Sequence, residues 1–439
     1  MASGRNGHGA TTVLLMTLGA TAAACWLRVP ATKAADGARG QPRVPSLARP
    51  APAVRLGIDV LEADGFKPLR DKRVGLITNP TGVTGDLRST IDVLHNAPGV
   101  KLVALFGPEH GVRGEAHAGA EVEDYRDPAT GLPVYSLYGK TRKPTPAMLK
   151  GIDVLAYDIQ DIGSRSYTYI STLALAMEAA AENQVAFLVL DRPNPLGGLR
   201  IEGRPLDIKY QSFVGHLPIP YVHGLTVGEL ARMINGERWL ANGVTCDLQV
   251  IAMQGWKRAM WWDQTGLVWI PTSPHVPRPD TAAFYAATGI MGELGVISEG
   301  VGFPLPFELA GSPDIDPWKL ADELNARQLP GVFFRPLYYQ PYYGPYANKT
   351  CGGVQIHLTD RNRAALTPIQ FHIMDAVRRL YPTMKLFGNK RDSVFDKVCG
   401  TDQVRTLFAE GRPLTEILSV WNEGVDDFRA RREKYLLYE

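Results

Sequence analysis

Four short apolar runs, each cut off by a polar turn, constrain this chain more than anything else in it. They are Arg73-Val-Gly-Leu-Ile-Thr78, Leu102-Val-Ala-Leu-Phe106, Asp153-Val-Leu-Ala-Tyr-Asp158 and Val185-Ala-Phe-Leu-Val-Leu190. Runs of this length, rich in branched and aromatic residues and bounded by turn signals, read as buried strands. Residues 86–94 and the Ala-rich stretch 171–184 have helical spacing, 132–136 is a weaker strand, and 146–150 is a short helical turn. Strands separated by helices of this length pair in parallel, within a three-layer α/β sheet.

The C-terminal ends of parallel strands share one edge, where open α/β sheets place their ligands. The residues standing there are Asn79, then Glu109 and His110 beyond the Gly107-Pro108 stop, then Asp158 and Asp161, then Asp191, Arg192 and Asn194. One Asp or Asn after a strand is an ordinary cap or turn former; four such ends in succession point to a site. No G-x-G-x-x-G follows the first strand and no P-loop motif occurs, so no nucleotide cradle is expected. A G-x-S-x-G elbow is also missing. The nine His form neither H-x-x-x-H nor H-E-x-x-H, and neither a metal nor a cofactor is expected.

Carboxylates accompanied by arginines suit general acid–base hydrolysis. A glycosidase uses one protonated carboxyl as acid and a second carboxylate as nucleophile or base. Glu109 stands on a turn beside a buried strand, where a carboxyl can be desolvated enough to serve as the acid. Asp158, Asp161, Asp191 and Glu299 compete for the second role, unless an acetamido group of the substrate is the nucleophile. Arg113, Arg165 and Arg192 can either grip a substrate carboxylate in bidentate fashion or pair with the nearby Asp residues.

Outside the sheet the chain is less regular. Thr226 and Glu229 have capping-box spacing at the head of a helix over 225–234, and 245–251 reads as a strand. From about 315 the pattern is that of a smaller α+β domain, with a helix over 318–328, a strand over 353–358, and helices near 368–380 and 402–423. A Tyr/Pro-rich run over 336–346 is too broken for a helix and is expected to form a wall facing the first domain. The balance of 47 basic and 45 acidic residues offers no electrostatic case for nucleic acid. Residues 1–35 contain the apolar run TTVLLMTLGATAAACW after a weakly basic start and read as a secretory signal peptide, too short and too Ala/Thr-rich for a permanent membrane span. Cys25 lacks the upstream Leu of a lipoprotein signal. A Pro-rich linker follows over 36–54, and the expected location is secreted or periplasmic, without stable membrane insertion. Only Cys246, Cys351 and Cys399 remain beyond it, enough for one bridge and a spare thiol but not for a disulfide framework.

Several of these segments also carry a family resemblance. Asn79-Pro-Thr-Gly82, Phe106-Gly-Pro-Glu-His-Gly111, Tyr157-Asp-Ile-Gln-Asp-Ile-Gly163, Arg165 with Tyr167-Thr-Tyr169, and Asp191-Arg-Pro-Asn-Pro-Leu196 are followed by His223-Gly-Leu-Thr-Val-Gly-Glu-Leu230, Ser298-Glu-Gly300 and Tyr435-Leu-Leu-Tyr438. Together they resemble the exo-β-N-acetylmuramidases (NamZ-like proteins), which remove terminal N-acetylmuramic acid from peptidoglycan fragments. The resemblance runs from about residue 57 to the end. It implies a Rossmann-like catalytic domain, set here at 55–310, a smaller α+β domain at 311–439, a cleft site between them and a peptidoglycan-derived saccharide as substrate. On this reading Glu109, Asp161 and Glu299 are catalytic. Asn79, His110, Arg113, Asp158, Arg165, Tyr167, Asp191, Arg192 and Asn194 bind substrate, with the lactyl carboxylate of muramic acid as the arginines' partner. Two loops depart from the family pattern: Glu299-Gly-Val-Gly-Phe303 stands where Glu-Gly-Arg-Gly-Thr is usual, and Pro271-Thr-Ser-Pro-His275 where Pro-Pro-Ser-Pro-Asn is. These departures bear on specificity, and the alternative they leave is a muropeptide-binding protein without turnover.

Overall fold

Each of the four apolar runs is a strand in the computed structural model, which describes residues 52–109, 111–114 and 124–439. The signal-peptide reading, most of the linker, His110, and residues 115–123 lie outside the described residues. The larger sheet has seven strands: β1 (Arg73–Thr78), β2 (Lys101–Gly107), β3 (Tyr125–Arg126), β4 (Pro133–Ser136), β5 (Val154–Asp158), β6 (Ala186–Leu190) and β7 (Leu248–Ile251), in the order β3-β4-β2-β1-β5-β6-β7. All neighbours are parallel except the β3–β4 pair. Numbered in chain order, the six parallel strands therefore run 3-2-1-4-5-6, the doubly wound order whose direction reverses between β1 and β5.

Side-chain alternation builds the three layers. Leu155 and Tyr157 of β5 and Phe187 and Val189 of β6 point into one core, under the helices Tyr169–Glu182 and Val227–Gly236. Val154, Ala156, Leu188 and Leu190 point into the other, under Gly57–Ala63 and Thr90–Asn96. A period of two that is apolar on both faces is what a fully covered parallel sheet requires.

The second sheet is antiparallel: β8 (Leu309–Ser312), β9 (Val332–Tyr339) and β10 (Cys351–Leu358), in the order β8-β10-β9. It shares a core with the helices Thr281–Gly292 and Leu366–Leu380. The bond between residues 310 and 311, where the sequence reading divided the domains, lies inside β8. Part of the Tyr/Pro-rich run turns out to be β9, and Pro336 is tolerated because β9 is an edge strand. The chain then returns: Phe428 and Tyr435 pack into the core of the first sheet. Cys246, Cys351 and Cys399 are all buried and unbridged, so the bridge the cysteine count allowed is not formed among them. No helix among the described residues is long and apolar enough to cross a membrane.

Candidate active site

The β1–β5 pairing ends in register, Thr78 against Asp158, so the loops that follow part company at the point where strand order reverses. Hydrogen bonds bolt these loops together. Asn79 Oδ1 accepts from the Thr81 amide (3.0 Å) and hydroxyl (2.5 Å), and Thr81 Oγ1 accepts in turn from the Gln160 amide at 2.9 Å. The Gln160 side-chain amide donates to the carbonyls of Asp161 and Pro193. Three buried polar atoms on this seam make no hydrogen bond among the described residues: Asn79 Nδ2, Gln160 Oε1 and Asp161 Oδ1. Buried polar groups are rarely left so, and clustered exceptions mark a place built to receive polar groups from elsewhere.

Asp161 is held by a backbone amide and has His223 beside it. Its Oδ2 accepts from the Gly163 amide at 2.7 Å and lies 3.6 Å from His223 Nε2. His223 Nδ1 accepts from the Leu225 amide at 3.2 Å, so the neutral ring carries its proton on Nε2, facing the carboxylate. Gly163 has φ +82°, and a Cβ there would come within 2.5 Å of Asn194 Oδ1, so only glycine lets the turn close. Burial, then the charge of Asp161, raises the Tyr167 hydroxyl above the usual phenol range.

Glu109 follows β2 and is half-buried. Burial and the Glu109 carboxylate beside it push the Tyr138 hydroxyl up to about 12. Tyr169 feels the same carboxylate. Its ring meets Tyr167 edge-on at 5.0 Å, so Glu109 and Asp161 are linked through one aromatic pair. Both tyrosines seat the 271–279 loop: Tyr167 donates to Thr272 Oγ1 (2.8 Å) and Tyr169 to the Thr272 carbonyl (2.5 Å). His275 in that loop meets the Tyr343 hydroxyl at 2.7 Å, and Gly302 lies against the Tyr343 backbone. The two loops that depart from the family pattern thus touch one residue of the Tyr-rich run. Tyr343 faces the first domain as expected of a wall; Tyr339 is instead bonded to the Ser298 carbonyl, and Tyr342 and Tyr338 are exposed.

The other site residues expected from the sequence have different occupations. Asp158 and Arg192 form a buried bidentate pair (2.5 and 2.8 Å), with Thr90 donating to the same carboxylate. Arg165 is wholly buried and donates to the carbonyls of Arg204, Ile219, Val398 and Cys399, and burial lowers its pKa to about 10. Arg113 grips Asp127 at 2.6 and 3.0 Å. Of the two readings open for these arginines, internal pairing is what the structure displays. Asp191 accepts from the Gly228 amide, Thr226 Oγ1 and Tyr438 OH, and burial raises its pKa to about 7. Asn194 bonds the Leu225 carbonyl and the Leu196 amide, closing its own turn. Glu299 packs against Gly292, seven residues and roughly 10 Å along the helix from Tyr285, which touches Tyr167. Burial, with Glu293 nearby, raises it to about 7. His110 lies outside the described residues. Thr81, Gln160, Tyr138, Tyr169 and His223 join the candidate site though strand ends do not single them out; all but Tyr138 lie inside segments quoted above. Among the described residues no group of three His, Cys, Asp or Glu could hold a metal.

Comparison with known proteins agrees with this architecture. Residues 74–280 match the family model "Exo-beta-N-acetylmuramidase NamZ, N-terminal" and 283–438 its C-terminal counterpart. The chain is 46% identical over 387 residues to the peptidoglycan beta-N-acetylmuramidase NamZ of Bacillus subtilis (strain 168), covering 88% of this chain and 92% of that one. Two crystal structures of DUF1343 family proteins from Bacteroides fragilis NCTC 9343 are also similar. One is 53% identical, with a TM-score of 0.85 over 89% of this chain and 100% of that one. The other is 32% identical, with a TM-score of 0.71 over 88% and 99%.

Proposed function

The chain belongs to the NamZ family of exo-β-N-acetylmuramidases, and from that premise we propose that it hydrolyses the terminal N-acetylmuramic acid linkage of peptidoglycan fragments in cell-wall turnover. The observation that supports the reading is that Glu109 is near enough to Tyr169, and Asp161 to Tyr167, for their charges to act on those hydroxyls, while the two rings meet edge-on at 5.0 Å. Glu109 gives its proton to the leaving oxygen as the C1–O bond breaks. Water adds to C1, and its proton goes to the carboxylate left behind. Asp161, oriented by the Gly163 amide and with Oδ1 unpartnered among the described residues, is the second carboxylate, facing the positive charge that develops on the sugar. The apolar run within residues 1–35 supports action outside the cytoplasm.

Release of N-acetylmuramic acid from a MurNAc-terminated disaccharide tests this, with wild type compared to Glu109→Gln. The substitution keeps the side chain's size and removes its titrating proton, so a fall in rate of about a hundredfold or more is expected. A folded wild type that releases nothing overturns the hydrolase reading, and a Gln variant with undiminished rate removes Glu109 from it.

A further inference from the structure

The substrate proposed above carries a carboxylate on its lactyl ether, and each arginine expected to receive it is engaged inside the protein. Arg113 holds Asp127, Arg165 holds four carbonyls, and Arg192 holds Asp158. Arg278, on the loop over the tyrosine pair, is paired with Glu308 and Asp280. Arg142 is different. It is exposed, and among the described residues no carboxylate lies within ion-pair distance of it. Its guanidinium carbon lies 4.3 Å from the centre of the Phe213 ring. Phe213 is itself anchored, its carbonyl accepting from Ser171 Oγ at 2.7 Å on the helix Tyr169–Glu182. The Phe213 ring is 6.3 Å from that of Tyr138, and Tyr138 is the residue whose hydroxyl meets Glu109. Arg142 is also close enough to Tyr138 for its charge to act on that hydroxyl against the pull of Glu109.

These contacts make an unbroken path from the proposed acid to an unpaired cation: Glu109, Tyr138, Phe213, Arg142. A guanidinium resting on an aromatic face keeps its N–H edge outward, in the geometry that meets a carboxylate with two parallel hydrogen bonds. We infer that Arg142, seated on Phe213, is the specificity residue that receives the carboxylate of the lactyl ether on the terminal sugar. This assignment rests on the function proposed above and adds to it the group that separates a muramic acid residue from the same amino sugar without the ether. Arg142 acts through binding and takes no part in proton transfer.

Two measurements on the full chain test it, using wild type, Arg142→Met and Arg142→Lys. In the first, kcat and KM are compared for a MurNAc-terminated disaccharide and for its GlcNAc-terminated analogue, which lacks the carboxylate. Arg142→Met is expected to raise KM for the first by about 10- to 100-fold, to leave kcat within a few-fold, and to leave any hydrolysis of the analogue as it was. Arg142→Lys, which keeps the charge but not the fork, is expected to recover part of the loss. In the second, calorimetry measures binding of free N-acetylmuramic acid and of N-acetylglucosamine. Wild type is expected to prefer the former and the Met variant to lose that preference. Equal losses on both sugars, an unchanged preference in the variant, or a wild type that binds neither selectively would overturn the assignment. A wild type that binds N-acetylmuramic acid selectively through Arg142 yet hydrolyses nothing supports the assignment and sinks the hydrolase reading instead.

Discussion

Arg165 shows how far a single residue's role depends on what surrounds it. By type and position it is a credible carboxylate ligand, yet its guanidinium donates to four backbone carbonyls, two of them at the C-terminal end of the helix Asp392–Cys399. A cation there satisfies carbonyls that the helix leaves open and faces the negative end of its dipole. Arg165→Met is therefore expected to cost about 3 kcal/mol or more of stability, because buried acceptors lose their donor. Urea denaturation measures that cost, and KM of the remaining folded enzyme is expected to stay as in wild type. A raised KM with undiminished stability would return Arg165 to the binding set. Residue types at the strand ends were legible in the sequence, because Asp, Glu and Asn there break an apolar pattern. Their partners were not: the mates of Arg165 lie up to 234 positions away. Whether a carboxylate such as Asp158 meets a substrate or an arginine is decided by which loop folds over it.

At the scale of elements, the strands were the most legible part, since each is a run apolar on both faces with a turn at its end. The helix Val227–Gly236 was also announced, by the Thr226–Glu229 capping box, whose two hydrogen bonds are both formed. The C-terminal segment was not: Tyr435-Leu-Leu-Tyr438 matches a family ending, but nothing in its pattern says that it docks back on β6. There Tyr438 OH donates to Asp191 Oδ2 at 2.5 Å and accepts from the Met253 amide at 2.9 Å, with its ring edge-on to Trp256. Leu437 N donates to Glu229, the buried partner of Arg258. Tyr438→Phe deletes one hydroxyl and strands both a carboxylate oxygen and an amide, a loss of about 1–3 kcal/mol. A guanidinium melt reads it directly, and a variant as stable as wild type would show that the tail's docking does not depend on this hydroxyl.

For the molecule as a whole, burial of two carboxyls sets a direction for stability against pH. Glu299 is raised from 4.5 to about 7, and Asp191 from 3.8 to about 7, by burial first in both cases. A carboxyl that holds its proton more tightly folded than unfolded adds stability in full below its unfolded pKa and loses it as pH rises through the folded value. Between about pH 4.5 and 7 the chain is therefore expected to become less stable as pH rises. Glu299→Gln, neutral throughout, is expected to flatten that slope in a series of thermal melts, with Asp191 maintaining the remainder; a slope as steep as wild type would refute the assignment to Glu299.

The sequence by itself determined the α/β class, the parallel sheet, the edge that bears the chemistry and Glu109 upon it, because hydrophobic periodicity and turn residues are local properties. The tertiary structure decided which polar residues at that edge are already paired. It separated Asp161, with an oxygen unpartnered, from Asp158 and Asp191, which are satisfied. It brought His223 to Asp161 and set Arg142 on Phe213. Those outcomes depend on contacts between segments 62 to 234 positions apart, as between Asp161 and His223 or Arg165 and Cys399, and no local pattern encodes the partner that burial and loop closure supply.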